Sequence, residues 1–282
     1  MRRPDPIIFA IVLLAVNAAG ERPATFFSPG ERLHYRGYVL GYFPVGDAWF
    51  KVNKTSYYGK EAYQFDARAL GHYVIYTLDI RLRSIVDASS LRSRVFRRRE
   101  VGTEKRDYKI VFDREAMKAT HYRKRGKFAT VEEMDAAPWE KRAMFPIGPD
   151  VNDILYTLYF ARDIGDTVGT KKYYWFVETT CIWKTLVTIS GEEKIHLGRA
   201  GTFDALKIMI EPDYSQQPEK REEFSGLFGV TGSLEVWVDK KTRIPLIVRG
   251  HVPFAYILRP TISVILQDYQ IPAKAEPHPS AH

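Results

Sequence analysis

Segments in which apolar and polar residues alternate follow one another from Glu31 onward, and Gly, Pro, Asp and Asn residues separate them. Alternation with a period of two indicates half-buried β-strands, and regularly spaced turn residues indicate an antiparallel meander. The strands predicted in this way are Leu33–Leu40, Gly46–Val52, Glu61–Ala69, Arg92–Glu100, Lys105–Phe112, Met117–Arg125, Lys172–Thr188, Thr202–Ile210, Leu234–Val238, Arg243–His251 and Ile262–Ile271. The segment Tyr73–Asp87 fits a strand and a helix, so its type stays open.

One segment has the periodicity of a helix. Between Asp150 and Ala161 the apolar residues recur three and four positions apart; they are Val151, Ile154, Leu155, Leu158 and Tyr159. This spacing places them on one helix face, and Asp150 is in position to cap the helix. Residues 126–139 are interpreted as a looser connection. The predicted fold is therefore mainly β: a curved antiparallel sheet or an open β-barrel, with one helix at about residues 150–161 packed against it.

The first twenty residues resemble an export signal. Arg2 and Arg3 precede the apolar run Ile7–Val16, and small residues follow it. A membrane-spanning helix needs about 20 apolar residues, and this run is about half that length. A signal peptide at residues 1–20 is therefore predicted, with a retained membrane anchor as the alternative.

The rest of the chain contains no linker rich in Gly, Ser or Pro. A single β-rich domain is therefore predicted at residues 21–271, and a division between Pro138 and Pro149 is the alternative. Residues 272–282 are rich in Pro and Ala and are expected to form a disordered tail.

The formal net charge of +8 is concentrated in one segment. Between Arg92 and Lys127 there are 14 basic and five acidic residues, a net +9 in 36 residues, so the rest of the chain is slightly acidic. Alternate side chains on neighbouring hairpins share a face, and we expect Arg92 and Arg94 to align with Arg123 and Arg125. The candidate anion-binding residues here are Arg92, Arg94, Arg97, Arg98, Arg99, Arg123, Lys124 and Arg125. The alternative is an exposed edge that discourages strand pairing.

Arg162, at the end of the predicted helix, is a further candidate for binding an anion. A guanidinium lining a concavity is well suited to an anionic ligand head. A basic side chain at a helix C-terminus also complements the helix dipole, which is the alternative explanation of its position.

Signatures of metal, cofactor or covalent chemistry are not recognisable. The histidines lack metal-ligand spacing, and Cys181 lies among β-branched and aromatic residues, as a small buried side chain would. No nucleotide-binding or serine-nucleophile motif occurs in a fitting context. We therefore expect no cofactor, no metal site and no catalytic residue. Carboxylates that converge from separate strands leave no local signature, so a hydrolase stays open as an alternative.

Several stretches together resemble the bacterial exported domain-of-unknown-function family 3108. They occur in the order Phe27–Tyr35, Ser84–Asp87, Asp153–Arg162, Gly191–Ile195, Gly201–Ile208, Glu235–Asp239 and Arg243–Pro245. The resemblance covers nearly the whole chain after the export signal. It implies a signal-peptide-bearing envelope protein on a mostly antiparallel β scaffold, with no catalytic residues to carry over.

These observations predict an exported, non-enzymatic protein of the bacterial periplasm. Its concave face is expected to hold an apolar or lipid-like ligand, and its arginine-rich hairpins are expected to meet anionic lipid or lipopolysaccharide. An exported protein does not encounter nucleic acid as its usual partner, so we expect none despite the basic charge. The alternatives are an envelope hydrolase with carboxylates from separate strands and a purely structural module; a protein partner is not predicted.

Overall fold

The computed structural model describes residues 26–73, 76–216, 226–252 and 260–272. The predicted signal peptide at residues 1–20 lies outside these ranges. The predicted tail at residues 272–282 also lies outside them, apart from Pro272.

In the described part of the chain, fifteen strands form one sheet. They are β1 (Arg32–Val39), β2 (Phe43–Tyr57), β3 (Lys60–Tyr73), β4 (Tyr76–Asp87), β5 (Ser93–Val101), β6 (Lys105–Asp113), β7 (Lys118–Lys124), β8 (Trp139–Pro146), β9 (Val151–Asp153), β10 (Lys171–Glu178), β11 (Cys181–His196), β12 (Thr202–Pro212), β13 (Thr231–Asp239), β14 (Pro245–His251) and β15 (Thr261–Gln270). Strands that follow one another in sequence pair antiparallel, except that β9 runs parallel to β10 and that β8 and β9 do not pair. The first strand, β1, pairs with the last, β15, so β8 and β9 are the two edges.

Within the segment whose type was open, Tyr76–Asp87 is a strand, because β4 pairs with β3 along its whole length. The predicted strand Lys172–Thr188 is a hairpin of two strands, β10 and β11, which turns at Thr179 with a φ of 52°. The strand periodicity there was correct, but the turn lacks the Gly or Asn that usually marks a left-handed residue.

Two α-helices occur among the described residues, α1 (Val131–Ala136) and α2 (Ile154–Phe160). The first lies in the segment interpreted as a looser connection, and Thr130 caps it by accepting from the Glu133 N–H. The predicted start of the second was wrong. Asp153, rather than Asp150, caps α2 through a 2.9 Å bond from the Tyr156 N–H. Val151–Asp153, which were predicted to be helical, form the strand β9 instead. Neither helix is long and apolar enough to cross a bilayer.

The sheet rolls up so that the edge strand β9 lies against β5. Ser93 donates its N–H to Asn152 Oδ1 at 2.9 Å, and its hydroxyl accepts the Asp153 N–H at 3.0 Å. Arg114 donates to the Ser93 carbonyl at 2.9 Å, the Val151 carbonyl at 2.8 Å and Asn152 Oδ1 at 3.0 Å. Side-chain bonds, rather than a continuous backbone ladder, therefore hold this seam between the two parts of the sheet.

Inside the roll, α2 packs against the concave face of the sheet. Leu155, Tyr156 and Tyr159 on the helix are fully buried, and Tyr159 contacts Phe65 with ring centroids 4.7 Å apart. Phe27, ahead of β1, also packs on this cluster. The predicted architecture is thus confirmed: a mainly β fold in which a curved, open sheet surrounds a helix.

Candidate functional site

An apolar cavity of about 130 Å³ lies between α2 and the concave face of the sheet. Strands of the sheet and the helix α2 form its walls. The lining residues include Leu33, Phe50, Leu158, Phe176, Val187 and Val264. The strand alternation explains this lining, because apolar residues at every second position of these strands point inward. No charged side chain lines the cavity among the described residues.

Four polar side chains interrupt this apolar lining: Tyr35, Thr157, Tyr174 and Thr185. The Tyr35 hydroxyl donates to the Pro245 carbonyl at 2.8 Å and the Thr157 hydroxyl to the Asp153 carbonyl at 2.7 Å. Tyr174 on β10 and Thr185 on β11 are directly opposite in the strand register and both line the cavity. Their exposed fractions are 4% and 2%, and neither hydroxyl has a hydrogen-bond partner in the described part of the chain. Burial, with a further effect of the Asp163 carboxylate, raises the pKa of Tyr174, so its hydroxyl stays protonated.

Arg162, the candidate at the end of α2, is held in a buried ion pair. Its guanidinium donates to both carboxylate oxygens of Glu31, at 2.9 and 3.1 Å, and lies 4.2 Å from the centre of the Tyr159 ring. Burial alone lowers the pKa of Arg162, but the Glu31 carboxylate, together with Tyr159 and Tyr35, outweighs burial and the pKa is raised. This arginine is therefore charged, already neutralised, and separate from the arginine-rich strands.

The three consecutive arginines of β5 do not share a face. Arg97 and Arg99 point to the convex side, whereas Arg98 follows Phe96 to the inner side and donates to Glu100 at 2.9 Å. The period of two along a strand accounts for this division.

The expected alignment of Arg92 and Arg94 with Arg123 and Arg125 is not formed. Arg123 lies opposite Tyr108, which in turn lies opposite Arg98. Arg94 instead donates to Asp87 at 3.0 Å. Arg92 lines a second cleft, beside α2, together with Lys172. Arg123 and Arg125 are exposed.

Lys124 and Arg99 are tied to the short helix α1. Lys124 Nζ donates to the carbonyl oxygens of Met134 and Asp135 at 2.8 and 2.6 Å, and Arg99 donates to the Asp135 carboxylate at 2.7 Å. Both cations therefore complement the C-terminal end of that helix.

The strand register assembles a larger basic surface than the sequence indicated. One line of side chains crosses the convex face from β1 to β8, and each member lies directly opposite the next. We call it the basic row; its members are Arg32, Lys51, Asp66, Arg83, Arg97, Lys109, Tyr122 and Lys141. With neighbouring strands about 4.8 Å apart, the row is on the order of 34 Å long.

Acidic side chains neutralise only part of the basic row. Asp66 accepts from Arg83 at 2.8 Å, and Asp107 accepts from Arg97 at 2.5 Å. The other four cations, Arg32, Lys51, Lys109 and Lys141, have no carboxylate partner among the described residues. Lys109 lies 4.4 Å from the centre of the Trp139 ring, over which Arg97 and Lys124 also lie. The row is therefore a net positive surface with aromatic side chains within it.

The sequence profile of a family described as "Protein of unknown function (DUF3108)" matches residues 32–256. The chain belongs to this family. The match includes β1–β14 and α2, and therefore most of the cavity wall and the whole basic row. No curated protein matches the chain significantly.

A solved structure shares the fold of this DUF3108 protein. It is the crystal structure of a β-barrel-like protein of domain of unknown function DUF1849 from Brucella abortus. The two chains are 9% identical with a TM-score of 0.53, and the similarity covers 89% of this chain and 100% of the other. At this identity the likeness concerns the fold alone.

Buried carboxylates in this DUF3108 protein have partners that account for them. Ser84 donates to Asp153 at 2.6 Å, Arg68 and Arg81 donate to Asp79, and Glu31 accepts from Arg162. Among the described residues, no three His, Cys, Asp or Glu side chains converge as metal ligands would.

The sequence did not predict most members of the basic row, nor the two unpartnered hydroxyls of the cavity-lining residues Tyr174 and Thr185. Arg32, Lys51, Arg83 and Lys141 lie outside the arginine-rich segment, and only the pairing register brings them beside Arg97. Strand alternation could have separated Arg98 from its neighbours, because Phe96 marks the inner face.

Proposed function

We propose that this protein is an exported, non-enzymatic binding protein of the bacterial periplasm that holds an apolar, lipid-like ligand between α2 and the sheet. The cavity inside the roll is the observation that carries the proposal. Ligand sites are typically concave and mostly apolar, with few polar groups. This cavity has that composition, and the rigid helix and strands around it are suited to a preformed site.

The volume limits which part of a ligand fits. An engineered cavity of about 150 Å³ lined by Leu, Ile and Phe admits benzene, so a cavity of 130 Å³ accommodates a ring or a short stretch of acyl chain. A complete two-chain lipid does not fit in this volume. The bound portion is therefore one chain or one ring, and the rest of the ligand extends out of the cavity.

The lining favours binding over hydrolysis. In most glycoside hydrolases, two catalytic carboxylates flank the scissile bond at about 5–9.5 Å from each other. The described residues that line the cavity include no Asp or Glu, and the buried carboxylates already described serve as partners of Arg and Ser side chains.

The test of the cavity is ligand extraction combined with a filling variant. Gently purified protein is extracted with organic solvent and analysed by mass spectrometry, and a fluorescent medium-chain fatty acyl probe is titrated into the extracted protein. Ala161→Leu places extra carbon atoms in the cavity that Ala161 lines, whereas Ala136→Leu makes the same change at the exposed end of α1. We expect A161L to weaken probe binding at least tenfold and A136L to leave it unchanged.

Ala48→Val, on the opposite wall, provides a second filling variant if A161L does not fold. Equal affinities in the filled and control variants, or the absence of both co-purified lipid and probe binding, would contradict the cavity proposal.

The basic row supports a second activity, docking on an anionic envelope surface made of lipid phosphates or lipopolysaccharide. Each Lys or Arg near an anionic membrane contributes about 1 kcal/mol, and the contribution falls with salt. Lys51 and Lys141 are exposed members near opposite ends of the row, so reversing both charges tests the row over most of its length.

The docking test uses vesicles of phosphatidylcholine with and without phosphatidylglycerol. The variant Lys51→Glu with Lys141→Glu reverses two charges of the row, and Lys194→Glu with Lys241→Glu reverses two exposed charges elsewhere. We expect binding that requires the anionic lipid, falls with salt and is lost at least tenfold in the row variant only. Salt-insensitive binding, or equal losses in the two double variants, would exclude the row as the docking surface.

A further inference from the structure

Two hydroxyls in the cavity wall need a partner that the described chain does not supply. More than nine tenths of buried polar groups in proteins are hydrogen-bonded, so an unpartnered one calls for an explanation. Tyr174 and Thr185 are neighbours across the β10–β11 pair, both line the cavity, and neither hydroxyl has a partner in the described residues.

Two other hydroxyl residues, Tyr156 and Thr157, show how Tyr174 and Thr185 differ from the rest of the core. Tyr156 on α2 also has a buried hydroxyl without a partner in the described part of the chain, but it lies in the core and does not line the cavity. Thr157 does line the cavity, and its hydroxyl is already used in a 2.7 Å bond to the Asp153 carbonyl. Of these four residues, only Tyr174 and Thr185 combine a buried hydroxyl that has no partner in the described part of the chain with a side chain that lines the cavity.

The electrostatics of the wall limit the charge of the bound group. Lys172 Nζ lies 5.4 Å from the centre of the Tyr174 ring, and burial together with the Asp163 carboxylate raises the pKa of Tyr174. No charged residue of the described chain lines the cavity itself. A carboxylate or phosphate placed there would be buried without a counter-ion, which is strongly unfavourable.

We infer that the ligand is a neutral amphiphile whose narrow apolar part fills the cavity and whose uncharged oxygen, an ester carbonyl or an alcohol, is hydrogen-bonded by Tyr174 and Thr185. This inference rests on the proposed cavity function and adds the chemical class of the ligand. Both hydroxyls can donate to a carbonyl oxygen, and both can accept from an alcohol.

The experiment compares probes of equal length that differ in polarity: octane, methyl octanoate, octanol and octanoate. Each competes with the fluorescent acyl probe for the wild type, Thr185→Val and Tyr174→Phe. Both substitutions remove a hydroxyl and nearly conserve shape, and Tyr156→Phe removes an unpartnered hydroxyl that does not line the cavity. We expect the wild type to bind methyl octanoate or octanol about tenfold more tightly than octane or octanoate.

In T185V and Y174F this preference is expected to fall about tenfold while octane binds as before, and Y156F is expected to behave as the wild type. If octane binds as tightly as the ester and the alcohol, or octanoate binds most tightly, the inference is wrong while the cavity function stands. If Y156F reduces the preference as much as the cavity variants do, the inference is also wrong. If none of the four compounds displaces the probe and the probe itself does not bind, the cavity function fails with it.

Discussion

Arg162 and Glu31 are 131 positions apart in the chain, yet each exposes only 3% of its side chain. Burying two charges is costly unless they pair and their remaining hydrogen-bonding groups are satisfied. Here the carboxylate receives two bonds from one guanidinium nitrogen and the guanidinium also lies on the Tyr159 ring, while Arg162 Nε is buried without a hydrogen-bond partner among the described residues. The pair joins the residue just before β1 to the end of α2, and so fixes the helix inside the roll.

His121, on β7, is a second buried ionisable residue. Its exposed fraction is 6%, and neither ring nitrogen has a hydrogen-bond partner among the described residues. Burial, together with the charges of Arg123 and Arg142, lowers the pKa of His121 from 6.5 to about 4. The folded protein therefore contains the neutral imidazole near neutral pH.

This lowered pKa predicts a loss of stability in mild acid. The unfolded chain begins to bind a proton on His121 below about pH 6.5, whereas the folded chain does so only near pH 4. The free energy of unfolding is expected to fall between these pH values, by up to roughly 3 kcal/mol from this residue. Urea denaturation of His121→Phe should show a flatter pH dependence over that range. The exposed His196→Gln is the control, and an equally flattened profile there would contradict the assignment.

At the scale of elements, the residue that caps α2 is determined by a contact with a strand distant in sequence. Asp150 and Asp153 are both suitable cap residues, and Asp150 is exposed. Asp153 caps the helix because Ser84, on β4, donates to one of its carboxylate oxygens while the Tyr156 N–H donates to the other. The helix therefore begins where the sheet provides a hydrogen-bond donor for the cap.

A pair of alanine variants tests this choice. Asp153→Ala removes the cap and leaves the buried Ser84 hydroxyl without its acceptor, so the free energy of unfolding should fall by about 2 kcal/mol or more. Asp150→Ala, the control, should change it by less than about 0.5 kcal/mol. Chemical denaturation measures both values, and a larger loss in D150A would place the cap where the sequence first suggested.

The same residues show which features of the fold and of the site could be predicted from the sequence. Alternation identified most strands, and the spacing of Leu155, Leu158 and Tyr159 identified α2, because both patterns are local. The helix start depends on Ser84, 69 positions away, and the basic row depends on the register of eight strands. Such long-range pairings are not encoded in a local period.

At the scale of the whole molecule, the roll separates two surfaces of opposite character. The concave face is apolar and surrounds α2 and the cavity, while the convex face of β1–β8 carries the basic row. The seam keeps this arrangement, and Arg114 alone makes three bonds to Ser93, Val151 and Asn152 there. The shape of the cavity therefore depends on the seam, because the seam holds α2 in place.

Opening the seam is expected to loosen α2 without unfolding the sheet. Arg114→Met removes all three bonds, and we expect faster amide hydrogen exchange in β9 and α2 than in β2 and β3. Arg106→Met, which removes an exposed arginine paired with Glu104, is the control. Uniformly faster exchange throughout the chain, or no change in α2, would show that the seam does not depend on Arg114.

The pairing of β1 with β15 also determines when the molecule can be completed. Every other antiparallel pair joins consecutive strands, but Arg32 lies opposite Gln270, near the other end of the described chain. At about 5–20 residues per second, ribosomal synthesis leaves the edge of β1 open for roughly ten seconds or more. An open edge offers its N–H and C=O groups to other strands. A nascent chain of this design therefore depends on protection from aggregation until its last strand is made.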